Sequence, residues 1–203
     1  CHTRRQRQMC IRDRNKIMKI FFLKRISIIF IFFLTSCSEL EQNQYFPPNA
    51  QPHNDFTAII NRDVASIQTE IYELLSQDFA IIDITTEENT TFGEINPAKA
   101  SLYIDCGMMN NEIYVDYIDR IFESSLKANL AIQLEEINQS TTNVLLDITY
   151  TFISIESGTT WEFSSNNPAS IWVATPAEGA LPQRECISKH ILEESLISKI
   201  RNL

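Results

Sequence analysis

The sequence predicts an α+β fold: an antiparallel β-meander of about four to five strands packed against an N-terminal and a C-terminal helix. Three observations predict it. Residues 126–152 alternate apolar and polar side chains in two period-2 runs, and residues 64–75 and 188–200 repeat apolar side chains at helical spacing. The helical patterns also stand at the ends of this region and do not alternate with the strands, which separates α+β from α/β.

Taken in chain order, Val64, Ile67, Ile71, Leu74 and Leu75 fall on one face of a 3.6-residue period, with Asn61 suited to the N-cap and Ser66, Glu70 and Glu73 on the opposite face. Phe79 to Ile84 is a short β-branched run that reads as a strand. Thr85 to Ala100 reads as a polar loop holding Gly93 and Pro97, and Leu102 to Cys106 as a second short strand with Leu102, Ile104 and Cys106 on one face. Glu112 to Phe122 is expected to be a third strand. Leu126, Ala128, Leu130, Ile132 and Leu134 alternate with polar neighbours, and Val144, Leu146, Ile148, Tyr150 and Phe152 repeat the pattern after a polar turn. A turn centred near Gln139 sets Leu126 opposite Phe152, Ala128 opposite Tyr150 and Leu130 opposite Ile148, so a small residue meets a large one. Thr160 to Phe163 adds a further strand. Residues 188–200 close the chain as a helix with Ser188 as a cap and Ile191, Leu192, Leu196 and Ile200 inward.

The N-terminal part is of a different kind. Residues 1–36 carry nine basic residues and one acidic residue, Asp13, so the net charge of −9 averages this segment with residues 37–203, whose eight basic and 25 acidic residues give −17. Such an acidic chain is not expected to bind nucleic acid, which requires Lys and Arg to replace phosphate counterions. Residues 4–13 resemble the translation of a sequencing adapter, so residues 1–17 are read as an artefact and Met18 as the initiator. Lys19, Lys24 and Arg25 then precede the apolar run Ile26 to Leu34, too short to span a bilayer and built like a secretory signal; an uncleaved anchor or buried helix is the alternative. Leu34-Thr35-Ser36-Cys37 follows at once and resembles the lipobox of bacterial lipoproteins. That resemblance implies cleavage of a signal peptide spanning residues 18–36 and acylation of the Cys37 thiol, several chains on one residue giving stable anchoring where a single chain does not. Ser38 and Glu39 in place of an aspartate resemble the pattern that sends such proteins to the outer membrane.

Residues 37–55, with Pro47, Pro48 and Pro52 among Gln, Asn and Glu, read as a flexible tether, and residues 56–203 as one periplasmic domain. The order of helix, strands, long hairpin and terminal helix resembles the helix-grip domains of several envelope lipoproteins, including the C subunit of the outer-membrane β-barrel assembly machine. That family presents binding surfaces and has no shared catalytic set, so no site residue follows from it.

Two cysteines remain beyond Cys37, and in an oxidising compartment Cys106 and Cys186 read as a disulfide. Two buried thiols, or a reactive Cys186 assisted by His190 one turn later, are the alternatives. His53 and His190 lack companions at zinc-ligand spacing, and Asp105, Asp116, Asp119 and Glu123 lack the order of a calcium loop, so neither metal nor cofactor is expected. The glycines Gly93, Gly107, Gly158 and Gly179 are isolated, which excludes a phosphate-binding loop, a dinucleotide fingerprint and a nucleophile elbow. Trp161, Phe163 and Trp172 read as core, with an aromatic binding surface as the alternative. The expected function is a lipid-anchored, non-enzymatic accessory or interaction module at the periplasmic side of the outer membrane, partnered by the membrane and by envelope proteins. A lipid- or small-ligand carrier is the alternative, and a hydrolase using the acidic cluster a third.

Overall fold

The computed structural model describes residues 44–49, 51–78, 81–169, 172–173 and 184–203. Leu34, Thr35, Ser36 and Cys37 lie outside the described residues.

The fold is α+β with antiparallel sheets. In chain order, β1 (Tyr45–Phe46) and β2 (Thr57–Ile60) precede α1 (Val64–Asp78), which leads to the hairpin of β3 (Ile82–Glu87) and β4 (Thr90–Ile95). A single 3-10 turn (Ala100–Leu102) is followed by β5 (Ile104–Asp105), β6 (Met108–Met109) and β7 (Glu112–Ile113), then by α2 (Tyr114–Phe122). The long strands β8 (Ser124–Asn138) and β9 (Thr141–Ser154) come next, followed by β10 (Thr159–Ser164), β11 (Trp172–Val173), β12 (Ile187–Ser188) and α3 (Ile191–Ile200).

The main sheet has seven strands in the order β11-β10-β9-β8-β4-β3, with β2 also paired to β9. It is therefore larger than the four to five strands expected. The β8/β9 register places Leu126 opposite Phe152, Ala128 opposite Tyr150 and Leu130 opposite Ile148, as the alternation predicts. The turn is tighter than expected: Asn138 pairs with Thr141, and the Asn138 Oδ1 accepts the Ser140 N–H at 3.0 Å. The far edge of β9 is shared, with β10 on residues 149–154 and β2 on residues 142–145. Between them, Leu146 N–H donates to the Phe56 carbonyl and Ser165 N–H to the Ile148 carbonyl, so that edge is hydrogen-bonded along its length.

One face of β8 and β9 is buried and joins a continuous core with Ile67, Ile71 and Leu75 of α1 and with Leu192, Leu196, Ile197 and Ile200 of α3. Each large aliphatic side chain so buried contributes about 1.5–3 kcal/mol. Trp161 and Phe163 are in this core, opposite Phe152 and Tyr150 of β9.

The short elements depart from the periodic reading, each for a visible reason. Thr85 to Ala100 is no loop, because it supplies the end of β3 and all of β4. Its polar character suits an edge hairpin, and β3 is exposed at nearly every position. Gly93 sits inside β4 because a β-carbon there would meet Leu130 Cδ1 at 2.7 Å and Ile81 Cγ2 at 2.6 Å. Leu102 belongs to the 3-10 turn and is exposed, while Ile104 and Cys106 are buried. Glu112 to Phe122 is mainly a helix, with Tyr114, Val115 and Ile118 inward. The N-cap of α1 is Asp63, whose Oδ1 accepts the Ser66 N–H at 3.0 Å, and not Asn61. Ile191 of α3 faces outward, and Ile197 takes the inner position instead.

β1 lies inside the segment expected to be a tether, so regular structure begins before residue 56. It pairs with β6, which pairs with β7 across Asn110 and Asn111, both at positive φ as a two-residue hairpin turn requires. Gly107 allows this close approach. Its φ is +82°, and a β-carbon there would lie 2.1 Å from the Phe46 carbonyl oxygen.

Candidate functional site

Cys106 follows β5 and Cys186 precedes β12, two strands that pair with Ile187 opposite Asp105 and Ser188 opposite Ile104. This pairing brings the two Cα atoms within 4.1 Å, and the cysteines form a disulfide. Both are fully buried. A reactive Cys186 thiol is thereby excluded in this state, and the His190 ring is directed elsewhere, with Nε2 donating to the Ser165 carbonyl at 2.7 Å.

Next to the disulfide, the N-terminal strand is held by side chains as well as by backbone pairing. Tyr45 Oη donates to the Cys106 carbonyl at 3.0 Å. Arg184 is 2% exposed, and its guanidinium lies over two rings, 4.1 Å from the Tyr45 centroid and 4.8 Å from that of Tyr114. Tyr114 in turn packs edge-on to Trp161. A cation against two electron-rich faces is stabilised electrostatically, and desolvation strengthens the attraction.

The Tyr114 hydroxyl is buried and has no hydrogen-bond partner among the described residues. Burial pushes its pKa up to about 12, against the lowering effect of Arg184. A Tyr114→Phe protein is expected to be as stable as the wild type at neutral pH, or about 1 kcal/mol more so, because it removes a desolvated group that gains no bond. In the unfolded chain this tyrosine ionises near 10, while the folded chain keeps its proton to about 12. The unfolded state then binds fewer protons, so stability falls as pH rises between those values. Urea midpoints at pH 8 and 11 measure this, and the variant is expected to lose less than the wild type; an equal loss would refute the assignment.

A second cluster surrounds Glu193, in the first turn of α3 and fully buried. Its Oε1 accepts three hydroxyls: Tyr150 at 3.0 Å from β9, Ser165 at 2.7 Å from the turn after β10, and Ser188 at 2.8 Å from β12. Its Oε2 has no partner among the described residues. Ser188 also accepts the His190 N–H at 3.0 Å, which holds His190 at a φ of 60° before the helix begins. Ser188 thus acts two residues before the cap position, which His190 occupies. Burial and the nearby Glu193 carboxylate raise the Tyr150 pKa well above its ordinary value.

Ser165, Ser188 and His190 also form the floor of a cleft of about 200 Å³ whose rim includes Pro52, His53 and Asn166. The rim is fixed by a reciprocal amide pair, Asn54 N–H donating to Asn166 Oδ1 at 3.3 Å and Asn166 Nδ2 to the Asn54 carbonyl at 3.1 Å. Each hydroxyl on the floor is already committed to Glu193. The cleft therefore offers shape and polar edges without an activated nucleophile.

The acidic residues are only partly gathered. Asp116 and Asp119 line one cleft of about 250 Å³ together with Lys99, but Asp105 and Glu123 do not. Asp105 Oδ1 accepts the Gly107 N–H at 2.8 Å, and Asp119 Oδ1 accepts the Ser124 hydroxyl at 2.8 Å, both local turn bonds. Among the described residues, no three His, Cys, Asp or Glu side chains are placed to hold a metal ion. No helix among the described residues is long and apolar enough to cross a membrane.

Glu193 and Arg184 are not among the residues that the periodic reading singles out. Glu193 carries a signal, since it stands three, four and seven residues before Leu196, Ile197 and Ile200 on the inward stripe. A carboxylate in that stripe must be buried with partners. Arg184 carries none, because its burial depends on Tyr45, which is 139 positions away in the chain. Comparison with protein-family models, with curated proteins and with solved structures found no match.

Proposed function

We propose that the chain is a lipid-anchored cell-envelope lipoprotein whose domain serves as a non-enzymatic accessory or interaction module at the periplasmic face of the outer membrane. The observation that carries this reading is the tetrad Leu34-Thr35-Ser36-Cys37 directly after a basic segment and an apolar run. The buried Cys106–Cys186 bond supports it, since such bonds persist in oxidising compartments. The hydroxyls and the cysteine nearest His190 are committed to structural bonds, which supports a binding role over a catalytic one.

The packed inner face of β8 and β9 supports an interaction module over a lipid or small-ligand carrier, which would need an open cavity there. The two helices closing on the long hairpin are the helix-grip-like part of the proposal, and envelope proteins are the partners it implies.

Cys37→Ser tests the anchor. The wild type is expected to be processed in a globomycin-sensitive manner and to fractionate with membranes, while the variant accumulates as precursor. A wild-type chain that is unprocessed or found in the soluble fraction overturns the proposal.

A further inference from the structure

We propose that the small sheet β1-β6-β7 is a membrane-contact surface, through which the domain rests its apolar side chains on the bilayer that anchors it. Cross-strand pairing sets Phe46 opposite Met108 and Met108 opposite Ile113. The three side chains form one row across the sheet, and they are 44%, 40% and 40% exposed. Tyr45 and Met109, on the alternate positions of the same strands, turn inward. A three-stranded sheet whose second face is apolar and, among the described residues, partly open to solvent lacks the polar outer face that solvent-facing sheets carry.

The occupant follows from the chain itself. This inference rests on acylation of Cys37, which stands only nine residues before Phe46. A fully extended chain covers at most about 3.3–3.6 Å per residue, so Phe46 is held within roughly 30 Å of the acylated residue. The face that carries β1 is thus the part of the domain kept nearest the lipid. A tether this short gives a millimolar effective concentration, so even a weak apolar contact is populated.

Charge selects the kind of contact. With −17 on residues 37–203, the domain is repelled by anionic headgroups, so the row meets the bilayer by apolar insertion, and on a zwitterionic surface the contact is insensitive to salt.

Tryptophan quenching in vesicles tests this. The full chain is expressed in a bacterial host, extracted, and its Cys37 acylation checked by mass. Phe46→Trp protein is then reconstituted in phosphatidylcholine vesicles with or without bromines on the upper acyl chain, and the emission of Trp161 and Trp172 in the parent protein is subtracted. Emission from the introduced indole is expected to fall about twofold in brominated vesicles, unchanged by salt. Adding Met108→Asp and Ile113→Asp is expected to abolish the effect, with the circular dichroism spectrum showing that both proteins are folded. Acylated protein without excess quenching overturns the contact. So does a dimer in which the introduced indole is shielded but unquenched, which would assign the row to a second copy of the chain. An unacylated Cys37 overturns the functional reading on which the contact rests, and the mass measurement separates that failure from the other two.

Discussion

Glu193→Ala is expected to lower unfolding free energy by about 3–5 kcal/mol, a large part of the roughly 5–15 kcal/mol typical of a domain. The substitution removes the one acceptor shared by Tyr150, Ser165 and Ser188. The Tyr150 and Ser188 hydroxyls are then left in a dry interior, at about 1–3 kcal/mol for an unsatisfied buried group, while the Ser165 hydroxyl keeps the Ile148 carbonyl at 3.2 Å. The losses fall in two separate strands, so the variant loosens β9 and β12 together. Glu193→Gln keeps an acceptor oxygen in the same place and is expected to cost about 1–2 kcal/mol, set by an amide group where Oε2 now lies unpaired. Urea denaturation of both variants separates the two cases. If the alanine variant were within about 1 kcal/mol of wild type, the cluster would be a by-product of packing and not a clamp.

Removing the disulfide is expected to cost about the same by a different route. Cys106 and Cys186 are separated by 80 residues. In the chain-entropy model a loop of that size accounts for about 4 kcal/mol, acting on the unfolded chain. A Cys106→Ala, Cys186→Ala protein should therefore show a lower denaturation midpoint and a larger denaturant slope, since its unfolded state exposes more surface. Because both sulfurs are buried, thiol reductant should leave the folded wild type intact and act only once urea opens it. Fast reduction under native conditions would mean that β5 and β12 separate readily in solution. The two predictions are also separable from each other: Glu193→Ala acts on the folded state and leaves the slope unchanged.

The legible parts of the fold are those where one side of an element faces the core and the other faces water. The β8/β9 hairpin is legible to the residue because its alternation is unbroken, and a slip of one position would invert every side chain. The α1 stripe is legible for the same reason. The α2 helix reads as a strand because Ile113, Tyr114, Val115 and Ile118 have β-type side chains. Its spacing of Tyr114, Ile118 and Phe122 at four-residue intervals is nonetheless helical, and tertiary burial of that face decides the outcome. The β3/β4 hairpin is legible only at its start, where the run Phe79 to Ile84 overlaps β3 from Ile82; the rest of that edge strand has both faces wet and no alternation to read, and β4 is hidden in the polar stretch after it. β1 escapes because two residues carry no period, although Asn110-Asn111 does mark the turn of the hairpin on which it rests. In the candidate site, the disulfide follows from cysteine arithmetic, whereas the Arg184 stack and the Glu193 cluster arise from long-range contacts that local pattern does not encode.

The docking of β1 also gives the domain a mechanical character. A pull along the N-terminal chain enters at Gln44 and meets a strand with only two register partners, Met109 and Met108. Beside it, the covalent bond from Cys106 to Cys186 carries tension from the small sheet toward β12 and α3. Were the strand to let go, the chain from Gln44 to Asn54 would release about 35 Å of contour before the Asn54–Asn166 amide pair, and behind it the Phe56 carbonyl held by β9, came under load. The strand would thus yield before the main sheet and reseat when the pull stopped, so that a load on the N-terminal chain is met first by the small sheet.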